Sequence, residues 1–81
     1  MTPRAMVAYK LRLHEEAKQS LDCALRCAQS ADLLRAQGAL ADAMGALARL
    51  EFLDGPASTS WASNAIDLVT NAVDDAMRRT A

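Results

Sequence analysis

Between Leu33 and Leu53 the chain reads LLRAQGALADAMGALARLEFL, with no proline and no two adjacent charges. In a helix turning about 100° per residue, Arg35, Asp42 and Arg49 fall on one narrow line, and Gln37 and Glu51 fall nearly opposite. Two apolar faces lie between these polar lines. One is bulky (Leu33, Leu40, Ala43, Met44, Leu47, Leu50), and the other is small (Leu34, Gly38, Ala41, Gly45, Ala48). A helix that is apolar on two sides needs cover on two sides. The rest of the chain is therefore expected to supply helices, and the small face is expected to meet something.

The 81 residues predict a single all-helical domain, 1–81, with helices at about 3–29, 32–53 and 59–79. Hydrophobic residues make up 52% of the chain, but many are alanine, a strong helix former that buries little area. Tyr9, Phe52 and Trp61 are the aromatic residues, and β-branched runs are nearly absent. The expected fold class is all-α. Its architecture is a three-helix antiparallel bundle, or a helical hairpin plus a third helix. A core so dependent on alanine is thin, and dimerisation into a larger helical bundle is a usual remedy.

Net charge is −1 at neutral pH, which excludes the strongly basic footprint of a nucleic-acid binder. No stretch approaches the roughly 18 apolar residues of a membrane span, and Arg4, Lys10 and Arg12 interrupt the N-terminal segment in a way signal peptides do not. A cytoplasmic location is expected, with Cys23 and Cys27 as free thiols.

Thr2-Pro3 reads as an N-cap followed by proline at the first helical position. From there an apolar arc runs through Met6, Val7, Tyr9, Leu13, Ala17, Leu21, Ala24, Leu25, Ala28 and Ala31. Arg12–Glu16, Lys18–Asp22 and Asp22–Arg26 stand four apart on the solvated side, each worth a few tenths of a kcal/mol. Continuing this helix would turn Asp32 and Arg35 into the arc, so a turn is expected at Ser30–Asp32, with Ser30 or Asp32 capping the second helix. Two placements compete with it: a turn at Gln37–Gly38, and one unbroken helix to Leu53. With the break at Gly38, the spacing Gly38, Leu40, Ala43, Leu47, Leu50, Pro56 resembles the second helix of a tetratricopeptide repeat. Ala31 and Leu34 would then be first-helix positions, and Trp61, Ala65 and Leu68 would open the next repeat. The pattern departs at Cys27, where an aromatic is usual, and by one extra residue before the proline; no family is assigned.

Asp54-Gly55-Pro56 is a helix stop, because glycine supplies a positive φ and proline cannot continue the helix. Ser58, Thr59 and Ser60 offer N-caps for a last helix. Its apolar arc is Trp61, Ala62, Ala65, Ile66, Leu68, Val69, Ala72, Val73, Ala76 and Met77.

Three features could carry chemistry. Cys23 and Cys27 project from one helix edge and cannot easily bridge each other, but as thiolates they could hold half of a soft-metal site. The run CALRCA is similar to the Cys-x-x-x-Cys helices of copper-storing four-helix bundles, which repeat the pattern many times where it occurs once here. His14 lies inside the first apolar arc with no nucleophile placed to use it, and reads as a core-edge histidine. Asp67, Asn71, Asp74 and Asp75 read as solubilising charges on an outer helix face. A helix-turn-helix reader with Gly38 at its turn would present Asp42, Ala46 and Arg49, a set too poor in Arg, Lys, Asn and Gln for DNA.

No cofactor, small-molecule substrate or enzyme activity is expected. The expected function is that of a small bacterial-type adaptor, regulator or chaperone-like accessory protein. It would work as a homodimer, by binding a partner protein, or both, through Leu34, Gly38, Ala41, Gly45 and Ala48. The alternative is a metal- or redox-responsive module using Cys23 and Cys27.

Overall fold

In the computed structural model, which describes residues 2–80, the chain forms three α-helices and a 3₁₀ segment, with no strand among the described residues. Helix α1 spans Pro3–Gln29, α2 spans Leu33–Asp54, a 3₁₀ turn spans Pro56–Ala62, and α3 spans Ser63–Thr80.

The start of α1 follows from its first two residues. Thr2 is extended and its hydroxyl accepts from the Ala5 amide at 3.1 Å, while Pro3 takes the first helical position. Its end is a tight stop. The Ala31 amide donates to the Ala28 carbonyl at 3.0 Å and the Asp32 amide reaches back to the Cys27 carbonyl at 2.8 Å. These are the paired bonds of a Schellman ending. They place Ala31 at φ 61, the left-handed region where a Cβ is costly. Asp32 then caps α2 by accepting from the Arg35 amide. The turn therefore lies at Ser30–Asp32, and α2 runs unbroken through Gly38. The spacing that resembled a tetratricopeptide repeat has no turn at Gly38 to support it. Ala31→Gly is expected to stabilise the fold by about 1 kcal/mol, seen as a rise of roughly 4–8 °C in thermal midpoint.

The turn is only three residues long, so α2 doubles back on α1, and Lys10 pairs with Asp54 at the far end of the hairpin. The seam is mostly alanine: Ala17, Ala24 and Ala28 of α1 and Ala36, Ala43 and Ala46 of α2 are all buried. Helices meeting through alanine approach closely. Leu13, Leu21, Leu47, Leu50, Ala62 and Val69 complete the core, where α3 and the 3₁₀ segment pack on the hairpin.

The third helix begins later than its sequence suggests. Ser58, Thr59 and Ser60 do not cap it. Their hydroxyls donate backward, Ser58 to the Gly55 carbonyl (2.7 Å), Thr59 to the Glu51 carboxylate (2.7 Å) and Ser60 to the Ala57 carbonyl (3.1 Å). Hydroxyls that satisfy nearby backbone acceptors favour a tight 3₁₀ path over an α-helical start. Gly55, at φ 89 and ψ 171, makes the entry, in a region only glycine occupies freely.

The molecule is long and thin. It measures 50 × 19 × 13 Å with a radius of gyration of 14.1 Å, against about 12 Å for a compact domain of this length. Among the described residues, no helix is long and apolar enough to cross a membrane.

Candidate functional site: the outer face of α2

Helix α2 presents Ala43 and Leu50 to the interior, and the opposite side faces outward. Leu34, Gly38, Ala41, Gly45 and Ala48 are all exposed, and Leu34 retains 85% of its surface. A Cβ placed on Gly38 or on Gly45 would have no neighbour within 4 Å other than adjacent residues and the backbone of α2 itself. The small residues therefore do not serve a close approach by α3, which is the intrachain role such a stripe could have had. The close approach inside the chain uses the alanines at the α1–α2 seam instead.

The structure adds one residue to this face. Phe52 keeps 90% of its surface, and it continues the line four residues beyond Ala48. The full set, Leu34, Gly38, Ala41, Gly45, Ala48 and Phe52, alternates steps of four and three, the heptad spacing of a helix–helix seam. Tyr9 and Leu53 flank Phe52 and form with Ala48 and Arg49 an apolar shelf at that end of the hairpin. Arg35, Asp42 and Arg49 border the seam on the α1 side, where Asp42 and Arg49 share a shallow groove with Glu16 and Ser20. Met44 and Glu51 border it on the α3 side.

Cys23 and Cys27 lie on α1, half-buried, with their Sγ atoms 3.9 Å apart. The groove around them is lined by Arg26, Ser30, Asp32 and Arg35. Burial pushes the Cys27 thiol up from its ordinary value, and its hydrogen bond to Cys23 acts in the same direction. A raised thiol is protonated at neutral pH and is a poor nucleophile. The Sγ separation is close to the edge of a tetrahedral thiolate site, about 3.8 Å for bonds of roughly 2.3 Å. His14 is not near this pair. It is half-buried and lies against Trp61, ring centroids 5.6 Å apart, with the Lys18 ammonium 5.8 Å from the same indole. These contacts pin the 3₁₀ segment to α1.

Asp67, Asn71, Asp74 and Asp75 are exposed on α3, and no cluster of three or more potential metal ligands occurs among the described residues. Comparison with protein-family models, with curated proteins and with solved structures found no match for this chain.

Proposed function

We propose that the chain is a small, non-enzymatic helical interaction module, an adaptor, regulator or chaperone-like accessory protein. It acts by self-association and by binding a partner protein through the outer face of α2. One observation carries this reading. Glycine in a helix interior costs about 1 kcal/mol relative to alanine, and α2 bears two where its own fold leaves ample room for a methyl group. Nothing among the described residues offsets that cost. A second helix approaching from outside would, because a glycine–alanine seam lets two backbones come close. The exposed Leu34 and Phe52 at either end supply the apolar area that such a contact needs.

The test is affinity capture from the native host with the tagged chain, wild type beside Phe52→Ala, followed by mass spectrometry. The expected result is capture of untagged chain and of specific partners by the wild type, reduced severalfold in the variant. Phe52 is too exposed for its loss to disturb the fold, so equal capture by both proteins would refute this use of the face.

A thiol-based module is the second reading, and the 3.9 Å Sγ–Sγ contact is the observation that favours it. Two sulfurs from one helix supply half a tetrahedral site, and the remaining ligands would come from a second copy. Metal content and thiol titration of the purified protein, compared with Cys23→Ser/Cys27→Ser, separate it from the first. On the first reading the double variant keeps the wild-type mass and partners.

A further inference from the structure

We infer that the occupant of the α2 face is a second copy of this chain, lying antiparallel and slid so that Phe52 of each copy seats over Ala41 of the other. The inference rests on the reading of that face as a docking surface and specifies its partner and register.

The exposed area is enough for a second copy. The chain exposes 5458 Å², whereas a compact monomer of 8.7 kDa exposes about 4,700 Å². The excess, roughly 750 Å², is close to the ~800 Å² that each partner contributes to a stable interface of standard size.

The charges set the direction and register. Along the α1-side border of the seam, Arg35, Asp42 and Arg49 alternate in sign at heptad intervals. In a parallel pair this border would face the Gln37–Met44–Glu51 border of the second copy, with Asp42 beside Gln37 and Arg49 beside Met44, and no ion pair would form. In an antiparallel pair the two Arg-Asp-Arg borders face each other. With the two-fold axis at Ala43, the facing border positions stand two residues out of level, so that Asp42 comes nearest its own copy and Arg35 nearest Arg49, and like charges repel. Sliding the copies by one heptad, toward the Phe52 end, places Asp42 beside Arg49 of the second copy twice over. The same slide sets Gly45 level with Ala48 and Phe52 level with Ala41 of the second copy. The most exposed large side chain, Phe52, then sits over a small residue of the seam, flanked by Tyr9 and Leu53 of its own copy. Each slide leaves one end of the stripe outside the overlap. This one sets Gly38 level with Gly55 at the end of the second copy's helix and leaves Leu34 beyond it, whereas sliding the other way would pair Arg35 with Asp42, seat Leu34 over Gly45 and leave the larger Phe52 in water.

A charge swap tests this register. Dimer dissociation constants would be measured by sedimentation for the wild type, Asp42→Arg, Arg49→Asp and the double variant, with circular dichroism confirming that each stays helical. Each single change brings like charges together at two symmetric places and is expected to weaken the dimer about tenfold. The double variant restores opposite charges and is expected to return to within about threefold of the wild type. Singles without effect, or a double variant no tighter than the singles, would overturn the register while leaving the docking face intact. Weakening by Asp42→Arg but not by Arg49→Asp would overturn it in favour of the Leu34 slide. A wild type that does not dimerise at all would overturn the second copy as occupant; unchanged capture by Phe52→Ala would instead remove the face itself.

Discussion

Gly45→Leu is expected to act in opposite directions on the monomer and on the assembly. In the monomer the new side chain projects into open space, with nothing within 4 Å of its Cβ beyond its chain neighbours and the backbone of its own helix. Replacing a helical glycine by leucine then stabilises the helix by somewhat less than 1 kcal/mol, a rise of roughly 3–6 °C in the thermal midpoint of dilute protein. In the assembly the same side chain occupies the line along which the second backbone approaches. Overpacking a close helix seam is expected to weaken association on the order of 100-fold, equivalent to roughly 3 kcal/mol. Few substitutions raise monomer stability and abolish assembly together, so the paired result identifies an external contact. A variant with raised thermal stability and unchanged self-association would show that the glycines face only water.

The second large effect is in the core. Leu50 is fully buried, on the inner side of α2 opposite the seam, and with Leu13 and Val69 it is among the largest completely enclosed side chains. Most of the other buried apolar residues are alanine, so little surrounding bulk can relax into a cavity. Leu50→Ala is expected to cost about 3–4 kcal/mol. A domain of this size has about 4–12 kcal/mol in all, so the variant should melt at least 12 °C lower, with a cooperative transition of smaller urea midpoint. A loss below about 1 kcal/mol would mean that the hairpin is held by its alanine seam with little contribution from the leucine cluster.

The helix ends that rest on local chemistry were legible in the sequence: Thr2-Pro3, Asp32 and Gly55-Pro56 all act as their residue types suggest. The bulky face of α2 was legible too, although Met44 stays about half exposed. What the residues did not disclose depends on partners distant in the sequence. The Ala36, Ala43 and Ala46 positions close the hairpin because alanines of α1 lie opposite them, and no pattern within α2 distinguishes that small surface from the outward one. The 3₁₀ segment was hidden for another reason. Serine and threonine can accept as N-caps or donate to earlier carbonyls, and the Glu51 carboxylate that engages Thr59 belongs to a different helix. Phe52 continues the Leu34–Ala48 line by one more step, but it ends the run of small residues, so a reading by size stops short of it. Val7 and Leu11, more than half exposed on the N-terminal part of α1, lie on an end of the hairpin that α3 does not cover. That depends on where α3 begins, which the 3₁₀ segment decides.

On the proposed reading, another molecule of the same chain covers the outward side of α2 in solution. The most direct test is the molar mass of the wild-type protein by light scattering and sedimentation equilibrium, from roughly 1 µM to 1 mM. A mass that rises with concentration from 8.7 kDa to twice that value and stops there is the expected result. A mass that stays at 8.7 kDa throughout would contradict it.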